Sequence, residues 1–189
     1  CGNEGNVTGV KQIGGLCYQL YSGSMTGCYN TGSVTATGTY VGGVMGYAKS
    51  ASVTNIYNTG AVSTTRNQIG GLIGVMEKST LTNAYSTGKI TVSETGGNAV
   101  GAAVGWADTL SNVFYLEGTA ATGVGRDGTA EVKTAAELKG LAATLGEGFK
   151  NDAGNVNSGY PVLDWQESVG APEIVSIKIT HAPYKTNYT

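Results

Sequence analysis

The sequence predicts an all-β protein: a parallel β-solenoid, or β-helix, with coils of roughly 28 residues. Three observations predict it. Paired glycines fall at 14–15, 42–43 and 70–71, a spacing of 28 and then 28. The repeat is dominated by Val, Thr, Ile, Tyr, Ser and Gly, which suit strands better than helices. Glycines number 31 in 189 residues, about 16% against roughly 7% in average usage, and they punctuate short alternating pieces such as Gly32-Ser33-Val34-Thr35-Ala36-Thr37. One such unit cannot close a core of its own, but copies stacked in register can. Successive coils would pair at about 4.8 Å, so four and a half coils would extend roughly 20 Å and turn equivalent residues into ladders. Helical repeats of about 33 to 47 residues would need helix formers that this repeat lacks.

The first part of each unit reads Ile13-Gly14-Gly15-Leu16, Val41-Gly42-Gly43-Val44 and Ile69-Gly70-Gly71-Leu72. A looser copy, Val100-Gly101-Ala102-Ala103-Val104-Gly105, follows 31 residues later. In Ile69-Gly70-Gly71-Leu72-Ile73 both alternations carry apolar residues, which predicts a bend at the glycines. The second part keeps step as Cys28-Tyr29-Asn30-Thr31-Gly32, Ile56-Tyr57-Asn58-Thr59-Gly60 and Ala84-Tyr85-Ser86-Thr87-Gly88. Its fourth copy, Val113-Phe114-Tyr115-Leu116-Glu117-Gly118, is one residue longer. Cys1 to Thr8 aligns with Cys28 to Thr35, so the chain is expected to start inside a repeat of a larger protein.

The period ends near residue 122. Residues 1–120 hold 5 acids and 5 bases, and the remaining 69 hold 8 and 6. Thr134-Ala135-Ala136-Glu137 is a capping box, Leu138, Leu141, Ala142 and Leu145 form a helical apolar stripe, and Gly146 is a stop signal. These predict a short helix over 135–145. Phe149, Tyr160, Val162, Leu163 and Trp165 follow as the densest cluster of large apolar residues. A solenoid end exposes strand edges and an open core, so 123–166 is expected to be a C-terminal cap over that end. Ser168 to Pro172 reads as a linker, and Ile174-Val175-Ser176-Ile177-Lys178-Ile179 alternates like a strand.

Net charge is −2 with no basic cluster, which argues against a nucleic-acid footprint, and no apolar run approaches the 18 residues of a membrane span. A single histidine, His181, excludes mechanisms that need two. Glycoside cleavage would need two facing carboxylates. The repeats offer Glu4, Glu77, Glu94, Asp108 and Glu117, none of which recurs in a column. Glu77 and Asp108 both follow the glycine motif and are the one pair that stacking could bring close; solvated loop acids are the simpler reading. No Gly-x-Ser-x-Gly elbow, His-Glu-x-x-His motif or phosphate-binding loop is present.

The columns themselves are the remaining candidates. Tyr29, Tyr57, Tyr85 and Tyr115 align as an aromatic column, which is either a structural stack or a possible ligand-binding face for sugars. Asn55, Asn83 and Asn112 align as an amide ladder serving turn backbone groups. Thr35, Ser63 and Thr91, with Thr37, Thr65 and Ser93, should point outward if Val34, Val62 and Ile90 point in. Two-column threonine faces occur on ice-binding solenoids, but a wet β-branched face is the simpler reading. Cys1 and Cys28 share a column with Ile56, Ala84 and Val113, and Cys17 matches Met45 and Ile73, so buried free thiols are expected. A Cys17–Cys28 disulfide and a lipidated Cys1 are the alternatives. No cofactor is expected. The one oxygen-rich loop that hints at calcium, Asn151 to Asn157, has only Asp152 as a charged ligand and reads better as an Asx turn.

Gly-Gly-Leu-Ile-Gly at 70–74 and Gly-Gly-Val-Met-Gly at 42–46 resemble the GLUG repeat of bacterial cell-surface proteins, which include large proteases that cleave immunoglobulin A. Asn83-Ala84-Tyr85-Ser86-Thr87-Gly88 is similar to the segment that usually accompanies that repeat. The first coil departs from the pattern, with Tyr18 where the closing glycine should stand. The resemblance covers about residues 1–120 and implies a surface or secreted location, not a reaction. Any protease activity would belong to another domain. Asn157 to Gln166 resembles the closing segment of such arrays in clostridial-type surface proteins, and residues 167–189 resemble a linker and the opening strands of a bacterial immunoglobulin-like domain. The reading is a non-catalytic spacer or adhesion segment, with adjacent domains as partners and host glycans or glycoproteins as candidate ones. A carbohydrate-binding module using the tyrosines is the alternative, and a β-helix carbohydrate-active enzyme is a third.

Overall fold

The structure, a computed structural model, describes residues 1–93 and 99–166. It is all-β apart from two short helices, and it is a parallel β-solenoid of about four coils. Each coil contributes one strand to each of four parallel sheets. The long sheet stacks Gly2–Asn3, Ser24–Asn30, Ser52–Asn58, Thr80–Ser86, Thr109–Leu116 and Glu131–Lys133. The valine sheet stacks Val7–Gly9, Val34–Ala36, Val62–Thr64 and Ile90–Val92, and the glycine sheet Ile13–Gly14, Val41–Gly42, Ile69–Gly70 and Val100–Gly101. A fourth sheet stacks Cys17–Tyr21, Met45–Lys49, Ile73–Glu77, Val104–Trp106 and Val124–Arg126. Register follows the repeat, as in Val34↔Val62↔Ile90 and Val41↔Ile69↔Val100.

Inside the coils, Val44, Met45, Val53, Ile56, Leu72, Ile73, Leu81, Ala84, Val104 and Val113 form one core between the long and fourth sheets. Val34, Val41, Val62 and Ile69 fill a second, between the valine and glycine sheets. As expected, Thr35 and Thr91 point outward from the valine sheet, and the chain bends between Gly70 and Ile73.

The glycines of the motif serve close approach rather than left-handed backbone. A Cβ on Gly42 would overlap the Met45 carbonyl, and one on Gly71 would overlap the Ala102 carbonyl of the next coil and the Ser86 hydroxyl. The sharp corners fall elsewhere. Positive φ recurs at Gln12, Tyr40 and Gln68 (58°, 60°, 62°), and again at Ser22, Ser50 and Lys78 (50°, 49°, 49°). A third set, Gly27, Asn55, Asn83 and Asn112, lies inside the long strands at 62°, 55°, 52° and 57°. This last kink inserts a residue, so Val53 and Ile56, three positions apart, both face the core. Asn is the commonest non-glycine residue in that conformation because its short amide can hydrogen-bond locally.

Tyr18 replaces the closing glycine of the first coil without a clash. A Cβ on the equivalent Gly46 would press on Tyr40 O of its own coil and on Tyr18 O and Ile13 N of the coil before it, and the last two have no described counterpart around Tyr18. Among the described residues nothing stacks before the first coil, and Tyr18 is exposed.

The segment after residue 122 differs from expectation in two ways. Val124–Arg126 and Glu131–Lys133 still pair with the solenoid, against Val104–Trp106 and Thr109–Leu116. The rest does not sit over an open end. It folds back along the outer face of the long sheet, as a brace. The physical reason is the surface available: Tyr57, Tyr85 and Phe114 point outward there and form an apolar stripe outside the coils. Leu138, Leu141, Leu145, Phe149 and Leu163 bury it. The one helix expected over 135–145 is two, Ala135–Lys139 and Ala142–Leu145, divided at Gly140-Leu141. The capping box at Thr134 and Glu137 forms in full. Phe149–Lys150 and Val162–Leu163 complete the brace as an antiparallel pair. The linker and immunoglobulin-like opening expected at 167–189, with His181, and the acid Glu94 lie outside the described residues.

Candidate functional site

The tyrosine column is real, with one member misassigned. Tyr29, Tyr57 and Tyr85 pair in register, and their rings stack at centroid distances of 5.2 and 5.1 Å with interplanar angles of 8° and 5°. The fourth position is Phe114, not Tyr115: Tyr85 pairs with Phe114 and Ser86 with Tyr115. Register here is fixed by Asn83, Asn112 and the apolar pair Ala84↔Val113, and a one-residue offset turns a side chain to the opposite face. Tyr115 therefore packs on the interior core.

Burial divides the column. Tyr57 and Tyr85 are 1% and 0% exposed, and their hydroxyls are spent on the brace. Tyr85 donates to Pro161 O and accepts from Asn157 Nδ2 at 2.7 Å. Tyr57 faces both ends of the Gln166 amide, 2.8 Å from Nε2 and 3.0 Å from Oε1. Burial pushes both phenols well above their ordinary value. Tyr29 is only partly buried, and its hydroxyl donates to Glu4 Oε1 at 2.9 Å. Burial and then that bond raise its pKa too.

Two amide ladders flank the rings. In the expected one, Asn112 Nδ2 donates to Asn83 Oδ1 at 2.8 Å and Asn83 Nδ2 to Asn55 Oδ1 at 3.2 Å. Its members also hold the brace, through Asn112 to Thr144 O (2.8 Å) and Asn55 to Glu147 O (3.0 Å). The second ladder was not foreseen, although Tyr-Asn-Thr-Gly recurs in the repeat and was the available signal. Asn3 donates to Asn30 at 2.7 Å and Asn30 to Asn58 at 2.8 Å, while each Nδ2 also serves the glycine carbonyl two residues on. Asn30 and Asn58 are fully buried. The ladder stops at Ser86, whose buried hydroxyl has no partner.

The carboxylates considered for catalysis are engaged elsewhere. Glu77 is held by Lys49 Nζ at 2.9 Å and by the Tyr47 hydroxyl, and these two bonds lower its pKa. Asp108 Oδ2 accepts from Ser79 N at 3.0 Å. Asp152 takes three backbone amides: Val156 N on Oδ1 at 2.9 Å, and Asn157 N and Gly159 N on Oδ2 at 2.7 and 2.9 Å. It organises its own loop, as an Asx-type acceptor would. Among the described residues no group of three or more His, Cys, Asp or Glu side chains could hold a metal ion. The three cysteines are free; Cys28 is buried, Cys17 is half-buried with its pKa raised by burial, and Cys1 is exposed. Cys1 departs from the expected burial because, among the described residues, no coil stacks before it.

Where the brace reaches the first coils it leaves a groove of about 540 Å³. Tyr29 and Trp165 form one wall, with centroids 5.8 Å apart and planes 31° off parallel. Trp165 is 53% exposed, yet its Nε1 is tied to Gly27 O at 3.0 Å. Glu4, Thr31, Thr59, Asn157, Ser158 and Gln166 supply the polar lining. No repeat period marks Glu4, Trp165 and Gln166 as residues that meet, since two of them lie outside the repeats.

No family model and no curated protein matches the chain. Among solved structures it is similar to a Bacteroides ovatus protein described as a "putative immunoglobulin A1 protease", with a TM-score of 0.67 at 23% identity. The match covers 88% of this chain and 57% of that one, so the chain spans less than two thirds of its neighbour's length. At this identity the likeness is one of fold.

Proposed function

We propose that the chain is a rigid, non-catalytic GLUG-type repeat segment of a modular bacterial surface or secreted protein, holding its neighbouring domains at a set distance. The observation that carries this is the burial of Tyr57 and Tyr85 at 1% and 0% exposure, with both hydroxyls bonded to the brace. A column used for recognition would face solvent; this one glues the brace across the coils. The brace engages the fourth coil through Asn112, the third through Tyr85, the second through Tyr57 and the first through Gly27. A bending motion that opened any coil pair would break one of these unique contacts as well as the backbone ladder.

The repeat resemblance supports a surface location, as does the fold likeness to a bacterial protein described as an immunoglobulin A1 protease. That protein's named activity is not carried to this chain. The engagement of Glu77, Asp108 and Asp152 by cations, hydroxyls and amides supports a non-catalytic role. No helix among the described residues is long and apolar enough to cross a membrane.

Single-molecule pulling from the two ends of the chain tests the reading. A braced spacer should resist and then yield in one cooperative event. Stepwise peeling of coils at low force would refute it.

A further inference from the structure

We infer that the groove walled on one side by Tyr29 and Trp165 is a binding site for a neutral glycan, presenting a pyranose face to the Trp165 indole. Four observations carry this beyond a spacer role. First, Trp165 is the most exposed large apolar side chain among the described residues of the brace, while its neighbours Leu163 and Phe149 are buried. An indole left half in water stays exposed at a cost unless something covers it.

Second, the ring is fixed. Its Nε1 donates to Gly27 O at 3.0 Å, and Gly27 has φ of 62° with Trp165 Nε1 lying 3.3 Å from where its Cβ would be. The bond sets the ring's orientation, and with Tyr29 packed against it about half of the residue's surface stays in water. Tyr29 is fixed likewise, stacked on Tyr57 and bonded to Glu4. Aromatic walls held this way before binding lose little entropy when a ligand arrives.

Third, the remaining polar lining suits hydroxyl groups. Glu4 Oε1 already accepts from Tyr29, which leaves its other oxygen to take a ligand hydroxyl in a charge-assisted bond. Thr31, Thr59 and Ser158 hydroxyls can donate or accept. Fourth, the charge selects. Among the described residues Glu4 is the single charged side chain in the lining and no Lys or Arg joins it there, so sialylated, uronic or phosphorylated sugars would meet its carboxylate. The volume of about 540 Å³ lies in the range of small-ligand sites, which runs from roughly 300 to 1,000 Å³.

The test uses the full ¹⁵N-labelled chain. Its two tryptophans give two indole N–H signals, and Trp106→Phe assigns them. Lactose, maltose and N-acetyllactosamine are titrated to about 10 mM, in the weak range of affinity expected for a single short sugar, with 3′-sialyllactose as the anionic counterpart. The expected result is a saturable shift of the Trp165 signal with at least one neutral glycan. By calorimetry, Trp165→Ala should bind about tenfold more weakly and Glu4→Gln about fivefold more weakly. Glu4 is exposed, so its variant should keep the fold if Trp165→Ala does not. The inference is overturned if no neutral glycan moves the Trp165 signal. It also fails if both variants bind as the unsubstituted chain does, or if sialyllactose is preferred.

Discussion

The coils and the brace are held by opposite strategies. In the coils the same contact recurs at every level: Val34, Val62 and Ile90 occupy one column, and Asn3, Asn30 and Asn58 pass hydrogen bonds along another. In the brace each contact occurs once, as Asn112 with Thr144, Tyr85 with Pro161, or Trp165 with Gly27. Repetition makes the coils depend on nearest neighbours, so a defect in one is felt by two. The brace couples levels that are not adjacent in sequence. The difference teaches that a short solenoid gains long-range cooperativity from a segment that does not follow its period.

The sharpest way to break this comparison is Gly71→Val. Its Cβ would overlap the Ala102 carbonyl of the next coil and the Ser86 side chain, and the first of these is backbone that cannot rotate away. The variant should lose about 3 kcal/mol or more, with one cooperative loss of β signal in a circular-dichroism melt. Gly140→Ala is the matched substitution in the brace. Its nearest contact is at 3.5 Å with φ of −87°, so it should melt within a degree or two of the parent. Equal losses at the two sites would mean that the glycines of the motif are not close-packing positions.

The contrast also marks what could be read in advance. The period, the inward valine columns and the bend at the paired glycines were legible because stacking forces equivalent residues to do equivalent work. The corners were not. Gln68, Ser50 and Lys78 hold left-handed backbone without being glycine, and the stack rather than local preference imposes it. Tyr115 was misplaced because the fourth coil's extra length was put on the wrong side of it; the amide ladder through Asn112 sets the register. The brace reads from sequence as a cover, but its composition does not distinguish a sheet face from the coil end as the surface it covers. Its true target, the outward faces of Tyr57 and Tyr85, needed the alternation across the kink at Asn55 and Asn83, which composition does not display. The meeting of Glu4 with Trp165 and Gln166 is set by that docking and has no local signature.

Alkaline pH probes the brace through the two phenols it buries. Burial raises the pKa of Tyr57 and Tyr85 above the ordinary value of 10.0, so the folded state keeps protons that the unfolded state releases. Their contribution is fully present below about pH 10 and is lost as pH rises above it. Urea midpoints should therefore fall as pH climbs past 10. A flat profile would mean that these phenols are not sealed by the brace. A smaller effect, read at neutral pH, comes from Tyr85→Phe. Removing the hydroxyl leaves Pro161 O with only the longer bond from Asn157 Nδ2 at 3.3 Å and takes an acceptor from that amide, and the cost should be about 1–2 kcal/mol by denaturant titration, with a weaker alkaline dependence than the parent.

The smallest effect belongs to Glu77→Gln, and it tests whether any side-chain pair between coils adds to the ladder. Glu77 bonds Lys49 and Tyr47 of the preceding coil, and both bonds hold its carboxyl below the usual range. All of this happens at the surface, where water and salt screen the attraction and two long side chains lose freedom to make it. The same register is also set by four backbone pairings between Met45–Lys49 and Ile73–Glu77, which the substitution leaves intact. Glu77→Gln should thus melt with the parent at 0.15 M salt. A clear drop in melting temperature would show that the coils lean on individual side-chain contacts as the brace does, and the division drawn between the two regions would no longer hold.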